Sequence, residues 1–534
     1  MTIVSLPFFA FVAALVLVYF LAPKGYRWVV LLAGSYFFYW LNSRWLLLVM
    51  MASSIVTFGV GLWIQRVQDA NRAYVEAHAA ELSREDKKNR NRTTKEKTRR
   101  ILLLGVLLDL GALLFLKYFN FFASSVNGVF TIFGVGLRVP SLNLLLPLGI
   151  SFYTLQAIAY MTDIYRGKAQ ADKNPAKFML FMSFFPQIVQ GPIPRYNQLA
   201  PQLYEGHDFD YKRLCFGVQL MLWGLIKKLI IAERIALPVN YLFDRPTEYS
   251  GPIVFLAAAM YGLQVYADFS GGMDIARGVA QMLGIDLELN FRQPYFSGSV
   301  EEFWRRWHIT MGSWMRDYVF YPLSMSKAFT SLGKKSRKWF GAFVGKRIPP
   351  FCAMFIVYFL VGLWHGPTWS FVMFGVWNGI FIMLGILLDD VYAVLRKKCG
   401  IVEESVTWRV FRIVRTFVVI SYGRFFSRAP GLKKALEMIR RSFMNWRDLS
   451  FLTNGTLLKM GLNNANWFVL LAFILVLFYV DCVHEKRNVC IREAIARQSL
   501  IFRWIIYIAA VLALLVFGIY GPTYDAASFI YQNF

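Results

Sequence analysis

Histidine and cysteine are scarce in this chain, with five of each in 534 residues. Cys215, Cys352, Cys399, Cys482 and Cys490 form no CxxC pair and no Cys/His metal spacing, so they read as packing residues or free thiols, not as a disulfide framework or a zinc centre. Acidic residues are also few, 32 against 58 Lys and Arg, for a net charge of +26. This excess is not a nucleic-acid footprint, because the cations gather between apolar segments, as in loops that face anionic lipid. No serine or cysteine stands in a nucleophile motif, so nothing in the sequence points to a covalent enzyme intermediate. There is no internal repeat, and no polar stretch is long enough to form a soluble domain of its own.

What is abundant is apolar sequence. Hydrophobic residues make up 57% of the chain, and the mean hydropathy is +0.45. Those values exclude an ordinary soluble protein of this length and predict an all-α, polytopic integral membrane protein. A span needs about 20 apolar residues, and charge-free runs supply them at Val4–Ala22, Trp45–Gln65, Val139–Thr162, Tyr249–Ala267, Met460–Val480 and Trp504–Tyr524. Ile101–Leu116 is interrupted only by Asp109, and Trp28–Leu41 is short but aromatic. Phe178–Pro194, Leu214–Ile226 and Thr416–Gly423 read as short, tilted or re-entrant. MTIVSLPFF lacks a basic n-region, so residues 4–22 read as a retained span.

Loop charge sets the orientation. Residues 66–100 carry eleven Lys/Arg against six Asp/Glu without apolar periodicity and read as a basic cytoplasmic loop in a single membrane domain, 1–534. Three spans precede it, so the N-terminus is expected outside. The stretch His484–Arg503 holds five Lys/Arg and is expected inside, which leaves the C-terminus outside and the crossings even in number, about twelve. The bilayer is expected to be the cell (plasma or inner) membrane.

Two of the rare histidines fall in unusual surroundings. His308 lies in FWRRWHITMGSWMRDYVFYPL (Phe303–Leu323), and His365 lies in GLWHGPTW (Gly362–Trp369), inside the 41 residues Ile348–Leu388 that contain no Asp, Glu, Lys or Arg. Basic clusters flank that run on both sides, so the chain must turn within it, and Gly366-Pro367 is a turn dipeptide. From Ile348 to Trp364 a helix rises roughly 25 Å, which sets His365 in the middle or outer half of the bilayer. His308, among Arg305, Arg306 and Arg316, approaches from the cytoplasmic side. Ionisable groups at membrane depth are costly and tend to be kept for function, and imidazole exchanges protons near neutral pH. One site reached from both faces unites the two.

Each neighbouring residue has two readings. Arg305 and Arg316 suit bidentate phosphate binding, or they serve as cytoplasmic anchors; Asp317 suits an ion pair with Arg316. Trp304, Trp364 and Trp369 suit the lining of a buried passage or the bilayer interface. Asp268 and Asp274 pair with Arg277 or line that passage, and Asn290 is a polar residue of it or a helix cap.

At these residues the chain resembles the membrane-bound O-acyltransferase family, in its branch of alginate O-acetylation membrane proteins. The resemblance runs through LPLGISFYTLQAIAYMTDIYRG (Leu146–Gly167), FPQIVQGPIPR (Phe185–Arg195) and YADFSGGMDIARGVAQMLGIDLELNFRQPY (Tyr266–Tyr295), then both histidine motifs, to FIYQNF (Phe529–Phe534). It departs from the pattern at FIYQNF, where relatives tend to end in Tyr-Phe-X-Phe. The resemblance implies a catalytic His365, with His308 as the second histidine, in a helical bundle around a central tunnel. It also implies no bound cofactor or metal, and a cytoplasmic acetyl-CoA or another acyl thioester as donor. The implied acceptor is an extracellular glycan, reached directly or through a secreted or membrane-anchored acyltransferase partner. A sister branch with the same motifs implies the alternative of D-alanyl transfer from a carrier protein to teichoic acid. A proton-coupled transporter is the non-enzyme alternative; the missing inverted repeat weighs against it.

Overall fold

The structure is a computed structural model that describes residues 1–487 and 489–520; the FIYQNF segment lies outside them. Among the described residues every regular element is helical, and the only sheet-like pairing is an isolated antiparallel bridge between Phe291 and Trp307. Eight helical stretches among the described residues are long and apolar enough to cross a bilayer: Lys24–Ala77, Arg84–Ile132, Tyr211–Asp244, Gly251–Met282, Ile348–His365, Trp369–Leu387, Asn464–Arg487 and Leu500–Phe517. Leu6–Leu21 is a shorter apolar helix. The protein is therefore an all-α, multi-pass membrane protein.

The chain forms two compact units. One comprises Met1–Gly217 with Val279–Glu288. Here Arg44, at a φ of 44°, separates helix Arg27–Ser43 from the turn that leads into Leu47–Ala77. The buried Asp109 accepts hydrogen bonds from Ser53 Oγ at 2.7 Å and Thr57 Oγ1 at 2.9 Å, which explains how an apolar span tolerates a carboxyl group. Two sequence expectations change in this unit. Residues 66–100 are mostly helical: Leu47–Ala77 and Arg84–Leu113 extend into them around a short turn capped by Ser83. The stretch lacks Gly and Pro and is rich in Ala, Glu, Lys and Arg, which are good helix formers without any apolar stripe. Val139–Thr162 is not one helix; Pro140, Pro147 and Gly149 (φ 69°) break it, and helix begins at Ile150.

The second unit comprises Val218–Gly278 with Leu289–Phe534 and holds both candidate histidines. Its central feature is the antiparallel pair Ile348–His365 and Trp369–Leu387. A Cβ added at Gly375 would lie 2.1 Å from the Tyr358 carbonyl oxygen, and one at Gly362 would lie 2.5 Å from that of Phe371. Backbone therefore meets backbone, as small residues allow between membrane helices. The turn joining the two is capped by Thr368, whose hydroxyl accepts from the Phe371 amide at 3.3 Å.

Candidate active site

Helix Val300–Arg306 is short but well specified at both ends. Ser299 caps it by accepting from the Glu302 amide, Glu301 and Glu302 occupy its first turn, and Arg305 and Arg306 occupy its last, as the helix dipole favours. Beyond it the chain runs antiparallel to 290–292: Arg292 N donates to Arg306 O at 2.9 Å, and Ile309 N donates to Asn290 O at 3.0 Å. These bonds hold His308 in the left-handed region (φ 50°, ψ 53°), where it opens helix Ile309–Met315. Only a few per cent of non-glycine residues adopt that conformation, Asn, Asp and His more often than the rest, and it persists where the surroundings impose it. Burial pushes the His308 imidazole down to about 3, so the ring is neutral.

Aromatic rings connect the two histidines. Trp364 makes edge contacts with both, at centroid separations of 5.7 Å to His308 and 5.1 Å to His365. His308 also meets Phe269 at 4.9 Å, and His365 meets Phe374 at 5.7 Å. Trp304 packs on Phe374 and Tyr358 and donates from Nε1 to Asn378 Oδ1 at 3.2 Å, which ties the Val300–Arg306 helix to the helix pair that carries His365. Both histidines are buried, at 1% and 4% exposure. The arrangement offers two imidazoles in an apolar, water-poor setting, one at a helix C-terminus and one at a helix N-terminus.

A cavity of about 470 Å³, within the range of small-ligand pockets, borders Asn290, the amide neighbour of His308; neither His308 nor His365 lines it. Its lining includes Asn290, Lys227, Asp274, Asp481, His484 and Leu477. Lys227 Nζ donates to Asp274 Oδ2 at 2.7 Å and to Ser270 Oγ at 2.9 Å, and Tyr266 OH donates to Asp481 Oδ2 at 2.9 Å. The adjacent Lys228 is buried between Asp268 at 2.6 Å and Glu233 at 2.5 Å. Both lysines lie on a π-helical turn, Ile226–Ala232, a distortion frequent at functional sites. Among the described residues no three His, Cys, Asp or Glu side chains converge as metal ligands.

The sequence-predicted residues separate into two groups. His308, His365, Trp364 and Asn290 are buried and, with the half-buried Trp304, share one neighbourhood. Arg305, Arg316, Asp317 and Trp369 stand apart from it. Arg305 is 68% exposed and pairs with Glu301, Arg316 is 57% exposed and pairs with Asp317, and Trp369 is 54% exposed. For the two arginines the physical reason is local: a helix i,i+4 pair and a neighbouring carboxylate hold each guanidinium at the surface. Asp268 answers Lys228, not Arg277, which pairs with Asp274 at 3.5 Å. Phe374 and Arg424 were missed. The buried Arg424 guanidinium lies 4.8 Å from the Trp307 ring centre and 5.8 Å from that of Phe374. Its signal was a lone cation directly after the apolar run Thr416–Gly423.

Residues 169–426 match the family model of membrane-bound O-acyltransferases. The chain is 31% identical over 475 residues to a probable alginate O-acetylase of Azotobacter vinelandii, covering 88% of this chain and 83% of that one. A peptidoglycan O-acetyltransferase of Helicobacter pylori is 28% identical over 365 residues, 64% of each chain. A teichoic acid D-alanyltransferase of Bacillus subtilis is 26% identical over 298 residues, 54% of this chain and 71% of that one.

Proposed function

Since the chain belongs to the membrane-bound O-acyltransferase family, it is an O-acyltransferase, and we propose that it carries an acetyl group from a cytoplasmic thioester to a hydroxyl of a cell-envelope or extracellular polysaccharide. The observation that carries this reading is the burial of both rare histidines in one aromatic cluster, on either side of Trp364. The acetyl group is favoured over D-alanine because the acetylating relatives match more of the chain, the alginate O-acetylase of Azotobacter vinelandii also at higher identity.

In the proposed reaction His365 takes the proton of the acceptor hydroxyl as its oxygen attacks the thioester carbonyl. The tetrahedral intermediate collapses with loss of the thiolate, and the proton on His365 passes to that sulfur. Acetyl-CoA is the proposed donor, approaching from the cytoplasm through the cavity that borders Asn290. The glycan is proposed to reach the opposite side, directly or through a secreted or membrane-anchored partner. About twelve crossings around a central tunnel, a cytoplasmic 66–100 hairpin and both termini outside complete the proposal.

The test is label transfer from acetyl-CoA to glycan in membrane vesicles. His365→Ala is expected to lower ester formation by about 10²–10⁴-fold, the contribution of a positioned base, while the protein accumulates normally. Undiminished ester from that variant would overturn the assignment.

A further inference from the structure

Asn290 is wedged between three groups whose chemistry dictates which way its amide faces. Its Oδ1 lies 3.0 Å from the Thr310 amide nitrogen and 3.0 Å from Thr310 Oγ1. A backbone N–H can only donate, so the atom facing it must be the amide oxygen. The other atom is therefore the NH₂ group, which donates to Met273 Sδ at 3.5 Å and faces His308 Nδ1 at 3.2 Å. An NH₂ group cannot accept, so Nδ1 meets it with a lone pair. The opposite tautomer would have to send an Nδ1–H past the NH₂ to Oδ1 at 3.4 Å, an oxygen that already receives two donors. A neutral imidazole with a lone pair on Nδ1 carries its proton on Nε2.

His308 Nε2 has no hydrogen-bond partner among the described residues, although the ring is 1% exposed. A buried donor without an acceptor is costly unless something else supplies the acceptor. Phe269 and Trp364 both make edge contacts with the ring, and its backbone is pinned in the left-handed region. Burial keeps it uncharged, so it has an N–H to offer and no positive charge.

We propose that Asn290 is a positioning residue that fixes His308 as its Nε2–H tautomer, and that His308 acts in acyl transfer as a hydrogen-bond donor to the acyl carbonyl oxygen, not as a base. This rests on the acyl-transfer reading given above. In the step, the acceptor oxygen–carbon bond forms as His365 takes the hydroxyl proton. The carbonyl oxygen gains negative charge and is held by His308 Nε2–H, which keeps its proton throughout. The carbon–sulfur bond then breaks, and the departing thiolate receives the proton from His365.

Three variants separate this from the alternatives. In Asn290→Asp one carboxylate oxygen still accepts from Thr310, but the other faces His308 as an acceptor and draws the proton to Nδ1. Donation from Nε2 is then lost, and kcat is expected to fall about 10²–10³-fold, the cost of one oxyanion donor, with donor KM changed less than about threefold. His308→Gln keeps an amide N–H near the Nε2 position but cannot act as a base. It is expected to retain at least about tenfold more activity than His308→Ala.

The tautomer itself is read without any substrate, by ¹⁵N NMR of histidine-labelled protein in detergent, with His308→Gln identifying the resonance. Wild type is expected to show Nε2–H and Asn290→Asp to show Nδ1–H. An Nδ1–H signal in wild type would overturn the role of Asn290. Active wild type with His308→Gln as inactive as His308→Ala would overturn the donor role. Absence of acetyl transfer from wild type would count instead against the acyl-transfer reading, leaving the tautomer to be decided by its own spectrum.

Discussion

A neutral histidine buried in aromatic surroundings has a pH dependence that can be worked out in sign. His308 binds a proton near pH 6.5 when unfolded and only near 3 when folded. Its burial thus stabilises the fold fully above about pH 6.5, and that contribution is lost as pH falls toward 3. Activity should not show an acid limb from His308 above about pH 4, and His308→Gln should flatten the fall in thermal stability between pH 6.5 and 4. An equal fall in the variant would remove His308 as the source. Exposed arginines behave differently: Arg305→Gln breaks only a surface pair with Glu301, worth about 0–1 kcal/mol. Its donor KM is expected to stay within about twofold of wild type in the vesicle assay. At this scale the sequence was informative about rarity and poor at reach. Five histidines in a membrane chain made His308 and His365 conspicuous, but nothing in FWRRWH says that its second arginine turns to Glu485 at 2.6 Å while its first stays at the surface.

Among elements, the helix pair Ile348–His365 and Trp369–Leu387 bears most on the site. Its closeness depends on Gly362, Gly375 and Gly379, where an added Cβ would meet the facing helix at 2.1–2.8 Å. Gly375→Leu should force the helices apart, at a cost of about 1–3 kcal/mol, and should disturb His365 through the short turn. The measurement is thermal unfolding in detergent together with ester formation, and both are expected to drop. The turn itself could be read from Gly366-Pro367, because Gly and Pro act locally. The Lys228 cluster could not, because the pairing of Lys228 with Asp268 and Glu233 arises only when the Tyr211–Asp244 and Gly251–Met282 helices pack together. Lys228→Met would remove this cation from the buried Asp268 and the half-buried Glu233 and should cost about 3–5 kcal/mol, a far larger loss of thermal stability than Arg305→Gln.

For the molecule as a whole, hydropathy identified a helical membrane protein because lipid leaves backbone polar groups no partners but their own. It misjudged where helices begin when prolines lay inside an apolar run, as at Val139–Thr162, and it took the polar 66–100 stretch for a loop because helix propensity without an apolar face leaves no periodic mark. Sidedness rests on loop charge alone, and one native residue tests it. Cys399 is exposed and directly follows Arg396, Lys397 and Lys398 at the end of helix Asp389–Lys398. If the basic loops face the cytoplasm, a membrane-impermeant maleimide should modify Cys399 in inside-out vesicles and spare it in right-side-out vesicles, as read by peptide mass mapping. Cys482 and Cys490, at the basic end of helix Asn464–Arg487, share that expected side and should react more slowly because they are half-buried. Modification of Cys399 from the outside would reverse the orientation, and with it the assignment of a cytoplasmic donor to the face of the cavity that borders Asn290.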